Sequence, residues 1–422
     1  MAHIALIHAL PALVVRPSCA QDVSIIVREA RLLDLKIAIK GGGHIPWAGA
    51  ASIGAGGVLV DMRNVTGVNL GEDEETVSVG SGEKWESVIK ILEGKGLATV
   101  GARVPRVGVT GFILGGGLSF FAGRYGFSCD AVMAFEVVLA DGCIVKSSRT
   151  SHPDLFSALK GGSNNFGILT RIVLPAFAQG AMWGGMTIHP QSSMPELITA
   201  LVDFAKQPNP DQNVNILVTY GFSSMFGNTL SASSLFDTAP DTSNNHSTSL
   251  EAFVAIEPKI QSTLRTDTLL SFAEEQGQGT SDNSRVLYFT VSVKADKQIL
   301  LKIQALVDEA IESVKGTAGL LFSYILQPIT TTFLVNSTRG GLNAMGLSPS
   351  DDAADDQLMR KVSSRCLEKV ENLAKVEGKL VRWNFLNYAD ESQKVMQSYG
   401  AKSVAKLWER NVPGGFKLPK LE

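Results

Sequence analysis

The chain has 422 residues, 45% of them hydrophobic and 19% charged, with 41 glycines and a formal net charge of -3. That length exceeds one comfortable hydrophobic core, so two lobes are expected. The near-neutral balance gives no electrostatic footprint for nucleic acid or an anionic membrane, and no apolar run reaches the roughly 18 residues of a membrane span. Cys19, Cys129, Cys143 and Cys366 read as buried reduced thiols, because a chain of this size does not need disulfides. The start, Met1 to Val15, lacks a basic n-region and is interrupted by Pro11. The chain therefore reads as cytoplasmic as written, or as the mature form of a secreted protein.

In chain order, capping-box spacing at Ser18-Cys19-Ala20-Gln21 and apolar recurrence at Val23, Ile26, Ala30 and Leu33 predict a helix over residues 20–36. It leads into the short strand Ile37-Ala38-Ile39, which ends on Lys40-Gly41-Gly42-Gly43-His44-Ile45. Three successive residues without Cβ let the backbone turn through otherwise forbidden angles and approach a ligand closely. The imidazole of His44 is delivered to that same spot. Residues 76–80 read as a strand, and Trp85, Val88, Ile89 and Leu92 as one helix face ending at Gly94 or Gly96.

A second glycine-rich stretch covers residues 108–117. Residues 132–140 form a predicted strand, and Asp141-Gly142 before Ile144 and Val145 signals a hairpin. A helix over residues 153–159 precedes the third glycine turn, Gly161-Gly162-Ser163-Asn164-Asn165-Phe166-Gly167, and a strand over residues 168–174 follows it. Beyond Trp183 glycine thins out. Strand-like runs at 215–220, 286–293 and 320–326 alternate with helices such as 299–314, which predicts an antiparallel sheet covered by helices. Residues 231–249, rich in Ser, Thr, Asn and Asp, read as a surface loop. The fold class is α+β, divided at residues 1–176, 177–378 and 379–422.

Three glycine turns at strand ends within one lobe suit a long, charged ligand such as a dinucleotide. None of them is a G-x-G-x-x-G fingerprint, and the chain has no P-loop, H-E-x-x-H or C-x-x-C. Nicotinamide, phosphoryl-transfer and zinc chemistry lose their support, and no metal site is expected.

The order of these motifs resembles a family. Val14-Val15-Arg16-Pro17-Ser18, Lys40-Gly41-Gly42-Gly43-His44, residues 101–120, Leu139-Ala140-Asp141-Gly142, the turn at 161–167, Asn387-Tyr388-Ala389-Asp390 and the closing Val412-Pro413-Gly414-Gly415-Phe416 resemble FAD-linked oxidases of the berberine bridge enzyme type, fungal branch. These belong to the vanillyl-alcohol oxidase and p-cresol methylhydroxylase superfamily. The resemblance implies a p-cresol methylhydroxylase-type FAD-binding lobe, a substrate lobe, and a C-terminal segment that returns to the first lobe. It implies FAD as cofactor, bonded covalently through a ring nitrogen of His44 to the flavin 8α-methyl. Around it would lie Lys40, Gly41, Gly42, Gly43 and Ile45 of the first turn. The second stretch would add Val104, Val107, Gly108, Gly111, Leu114, Gly115, Gly116, Gly117 and Ser119, and the third Gly162, Asn164, Asn165, Gly167 and Ile168.

The family's second tether is a Cys in a Gly-x-Cys-Pro-x-Val-Gly pattern. Here the stretch reads Ala102-Arg103-Val104-Pro105-Arg106-Val107-Gly108, so Val104 rules out that bond, and Val107 stands at the family's oxygen-gating position. Tyr388, with Asn387 beside it, is the implied catalytic base. A phenol ordinarily titrates near pH 10, so this role requires a neighbouring positive charge that the sequence does not reveal. Relatives show Tyr-x-Asn-Tyr where this chain has Phe385-Leu386-Asn387-Tyr388. Tyr220, Tyr288 and Phe385 are further candidates for the substrate pocket. The implied reaction is hydride transfer from a small organic substrate, a secondary metabolite, to flavin N5, with molecular oxygen as acceptor and hydrogen peroxide as product. Carbohydrate oxidation and a non-redox cyclase that keeps FAD as scaffold stay open as alternatives.

Overall fold

The computed structural model describes residues 10–45, 49–240, 246–278, 286–347, 353–356, 360–381, 383–390, 393–400 and 403. The tail motif at 412–416 lies outside these residues. The chain opens with β1 (Leu13–Val15), α1 (Ala20–Leu32), β2 (Lys36–Lys40) and β3 (Gly57–Asp61), whose strands form a parallel sheet in the order β1-β3-β2. α1 buries Ala20, Val23, Val27 and Ala30 at helical spacing and stops short of the predicted end, because Asp34 turns to a φ of 49°. Its start differs from a capping box as well. Cys19 is the N-cap without a side-chain bond, and Ser18 donates both its N–H and its hydroxyl to the Asp22 carboxylate, at 2.8 and 2.7 Å.

β4 (Val68–Leu70), β5 (Thr76–Gly80), α2 (Trp85–Glu93), β6 (Leu97–Ala98), α3 (Val109–Leu114), α4 (Ala122–Tyr125), β7 (Ala134–Val138), β8 (Ile144–Ser148), α5 (Pro153–Leu159), β9 (Ile168–Pro175) and β10 (Phe177–Ala178) follow. Five of these strands form an antiparallel sheet in the order β4-β5-β9-β7-β8. The predicted Asp141-Gly142 turn joins β7 to β8, with Gly142 at a φ of 82°. α2 buries Trp85, Val88, Ile89 and Leu92, and Trp85 meets Phe112 of α3 edge-on at 5.4 Å. Burial of each such side chain contributes roughly 1.5–3 kcal/mol, and it locks α3 in place beside the glycine turns.

The remaining elements are β11 (Met182–Pro190), α6 (Met194–Ala205), β12 (Val214–Ser223), β13 (Asn228–Asp237), α7 (Glu251–Val254), β14 (Gln261–Ser262), β15 (Arg265–Asp267), α8 (Leu269–Gly277), β16 (Val291–Val293), α9 (Lys297–Val314), β17 (Leu321–Ile329), α10 (Thr331–Arg339), β18 (Ala353–Asp356), α11 (Arg360–Val376), β19 (Leu380–Val381) and α12 (Val395–Ser398). Their strands run β14-β11-β13-β12-β17-β18-β16-β19, with β15 also paired to β11. Side chains alternate strictly. Ile216, Val218, Tyr220 and Phe222 of β12 and Phe322, Tyr324 and Leu326 of β17 pack with α6, α9 and α11. Leu217, Phe236 and Ile329 point the other way, into the core shared with α2, α3 and β9.

Two expectations change here. Residues 231–237 are not loop but part of β13, which is paired on both sides and buries Ser231, Ser233 and Ser234. Serine composition misleads because the ladders satisfy this backbone, and the Ser231 hydroxyl donates to the Pro190 carbonyl at 2.8 Å. The run at 286–293 is strand only over Val291–Val293. None of the four cysteines forms a disulfide, with Cys129 and Cys366 buried, Cys19 half-buried and Cys143 exposed beside the β7–β8 turn. No described helix is long and apolar enough to cross a membrane.

A buried polar knot ties α10 to the first lobe. The Asp130 carboxylate accepts from the Phe127 N–H, the Ser337 hydroxyl and the Asn343 amide at 3.0, 2.6 and 2.8 Å. Lys160, fully buried, donates to the carbonyls of Asp130 and Gly340 and lies over the Phe156 ring. Burial outweighs these donors and pushes the Asp130 carboxyl up to about 6. The folded state therefore holds a proton that the unfolded state has lost between about pH 4 and 6. Stability linked to this group is greatest below that window and falls as pH rises through it, by roughly 3 kcal/mol at most. Asp130→Asn should remove this pH-dependent component, since the amide does not titrate. The melting-temperature difference between wild type and variant, followed from pH 4 to 7, should favour the wild type most at the acid end.

Candidate active site

The three glycine turns converge. The strand β2 ends at Lys40, and the Gly41–Gly43 turn then lies against the start of α3 so closely that a Cβ on Gly42 would sit 2.5 Å from the Gly108 backbone. Only glycine at both positions permits that approach. Gly43, at a φ of 66°, redirects the chain to His44, which is half-buried, and to the exposed Ile45. Thr110 donates its hydroxyl to the Ser81 carbonyl at 3.0 Å, and the Ser163 N–H of the third turn reaches the Leu114 carbonyl at 3.1 Å. α3 thus joins all three.

The two ends of α3 carry unmet polar demand. Ser81 Oγ, beside Gly41, and Asn387 Oδ1, against Gly115, are buried without a hydrogen-bond partner. Gly111 between them is exposed, with open space where a Cβ would stand. Buried polar atoms rarely stay unpaired, so two orphans along an open glycine helix suit a polar, extended cofactor. Gly116 and Gly117 take positive φ of 108° and 81°, and their carbonyls accept from Cys129 and Ser128. They serve the turn itself.

Other candidates are structural in their visible contacts. The Ser119 hydroxyl accepts from the Phe121 N–H at 3.1 Å, and Asn165 donates to Gly162 O at 2.9 Å. Asn164 is exposed, Gly167 packs on Val137 at a φ of 142°, and Ile168 is buried with α1. Val104 is half-buried near Gly277 of α8, while Val107 packs on the main core and its carbonyl accepts from the Trp85 N–H.

The C-terminal segment returns to this region. Asn387 donates to the Phe112 carbonyl at 3.1 Å, and Tyr399 donates to the Gly161 carbonyl at 3.1 Å. Tyr388 is half-buried, and the positive charge that its proposed role requires is Arg103. The guanidinium donates to the Tyr388 oxygen at 3.1 Å, to Asn215 Oδ1 of β12 at 3.0 Å and to Gln327 Oε1 of β17 at 2.8 Å. Sequence reasoning singled out Val104 and passed over its neighbour. The signal was present as an Arg flanked by Ala102 and Val104 and as single amides interrupting apolar strands.

Tyr288 is an electrostatic neighbour of Tyr388: burial first, and Tyr388 second, raise its phenol above the ordinary range. Tyr220 lies on the opposite face of β12, fully buried, with its hydroxyl donating to Asp308 of α9. Position 220 shares the parity of 216 and 218, so the pleat carries it to the helices. Phe385 is buried beneath Tyr388, ring centroids 4.9 Å apart and edge to face, and packs against Gly116. It supports the site without lining open space.

Residues 11–148 match the model of the FAD binding domain family. An FAD-dependent monooxygenase of Cochliobolus heterostrophus is 33% identical over 97% of this chain and 85% of its own length. The chain belongs to the family of FAD-dependent oxidoreductases that includes this fungal protein. The bifunctional solanapyrone synthase of Alternaria solani is 30% identical to this family member over 97% of the chain and 82% of its own length. The fold matches that of the xylooligosaccharide oxidase from Myceliophthora thermophila, with a TM-score of 0.77, 18% identity, and coverage of 97% of this chain and 90% of that one. FAD is thus the cofactor, and the orphan atoms and open glycine face on α3 fit it.

Gly42→Ala forces the first two turns of this flavoprotein apart, because backbone rather than a movable side chain blocks the new methyl. The flavin-to-protein absorbance ratio should fall, and thermal stability should drop by roughly 1–3 kcal/mol.

Proposed function

We propose that this protein is an FAD-dependent oxidase that takes a hydride from a small organic substrate, a fungal secondary metabolite, and delivers the electrons to oxygen as hydrogen peroxide. The contact of Arg103 with the Tyr388 oxygen carries the reading. A guanidinium bonds more strongly to an anionic oxygen than to a neutral one, which makes it the partner that a proton-accepting phenol oxygen requires.

Bound FAD supplies the two-electron acceptor. The glycine turns hold it, and His44 at the end of the first turn offers a ring nitrogen for a covalent bond. Tyr388 then takes the proton from the substrate hydroxyl while the adjacent C–H is oxidised. Arg103 keeps the phenol oxygen in place, and Tyr288 borders it. Val104 leaves the cofactor without a cysteinyl tether, which fits a single covalent link through His44. Val107, a small side chain beside α3, fits access for oxygen.

Denaturing the protein in acid and separating chain from supernatant tests the His44 link. Flavin should stay with the wild-type chain at about one per chain and leave with the supernatant in His44→Ala. A panel of secondary alcohols, enols and oligosaccharides, followed by oxygen uptake and peroxide yield, tests the reaction. On the accepted substrate Tyr388→Phe should lower kcat by about 10²–10⁴-fold, as loss of a general base does. Consumed oxygen recovered in the product instead of as peroxide would replace the oxidase reading with oxygen insertion.

A further inference from the structure

Arg103 is only 6% exposed, yet two of its three side-chain bonds go to neutral amide oxygens and the third to the Tyr388 oxygen, none to a carboxylate. A buried guanidinium ordinarily takes a carboxylate, because an uncompensated charge away from water is costly. Among the described residues none forms an ion pair with it. The two amides come from neighbouring strands of the substrate sheet and hold different nitrogens of the fork. Asn215 is itself fixed, since its amide nitrogen donates to the Ser119 carbonyl at 3.4 Å and leaves Oδ1 for Arg103. Aspartate and glutamate have the same shapes as these amides and would accept from Arg103 more strongly. They would also cancel the charge.

We propose that Asn215 and Gln327 are positioning residues that aim Arg103 at the Tyr388 oxygen while leaving its positive charge uncancelled. This rests on the reading of Tyr388 as the base and adds the means by which a neutral amide pair sustains it. Among the described residues, Arg103 bonds the Tyr388 oxygen, Tyr288 is its electrostatic neighbour, and Asp390 lies buried two residues along the chain. Each amide reaches the phenol only through Arg103, so its influence is electrostatic and geometric.

The test needs no substrate. The flavin-loaded full chain is titrated by ultraviolet phenolate absorbance, and the Tyr388→Phe curve is subtracted to isolate the Tyr388 component. The chain has six tyrosines, and burial raises Tyr125, Tyr220, Tyr288 and Tyr399, which keeps their signal at the alkaline end. In Gln327→Glu, and separately in Asn215→Asp, the Tyr388 component should appear about 1 pH unit or more higher than in the wild type. Arg103→Met should move it the same way. Circular dichroism and flavin content confirm that each variant is folded, and substitutions on two different strands guard against one failing to fold. A component left in place in both folded carboxylate variants overturns the proposal. If it then still moves in Arg103→Met, the pairing of Arg103 with Tyr388 survives and only the role of the amides falls. An immobile component in all three overturns both.

Discussion

A single buried cation joins the parts of this molecule that must act together. Arg103 belongs to the segment between α2 and α3, its two amide partners belong to the neighbouring strands β12 and β17, and Tyr388 belongs to the returning C-terminal segment. Each contact constrains a different piece of chain. Because the guanidinium is planar and rigid, fixing two of its nitrogens aims the third direction as well. The position of the phenol oxygen relative to both lobes follows from that geometry.

The cofactor side depends on a different constraint, the approach of backbone to backbone. Gly42 and Gly108 stand so close that neither tolerates a side chain, and α3 carries that contact to Gly115, where Asn387 packs. Trp85 and Phe112 hold α3 from behind. The glycine turns are thus stiff where they meet and open where Gly111 faces outward. The polar atoms left unpaired, Ser81 Oγ and Asn387 Oδ1, belong to residues that touch the two ends of α3. Packing on one side and unmet polar demand on the other is what a preformed cofactor cradle requires.

Much of the first lobe was legible because its elements carry strong local signals. The bounds of β5 and α5 agree with the periodicity, and the Asp-Gly turn sits between β7 and β8. The glycine turns were visible as spacing and the family from their order. β13 was not, because serine is read as loop composition unless one knows that a ladder lies on each side. Tyr220 shows a subtler limit. Its strand was visible, but which face of a strand meets the substrate depends on register, and a shift of one residue exchanges the faces.

By itself the sequence determined the lobe that wraps a ligand with backbone, the absence of a cysteinyl tether at Val104, and Tyr388 as the residue to watch. These follow from residue type and local order, which no distant contact can change. Only the tertiary structure decided that Arg103 is the charge beside that phenol, and that Asn215 and Gln327 hold it. Those residues are separated by 112 and 224 positions in sequence from Arg103. Their meeting is set by the pleat of β12 and β17 and the seating of one lobe on the other. A lone polar residue in an apolar stretch announces that it needs a partner, but only folding supplies its identity.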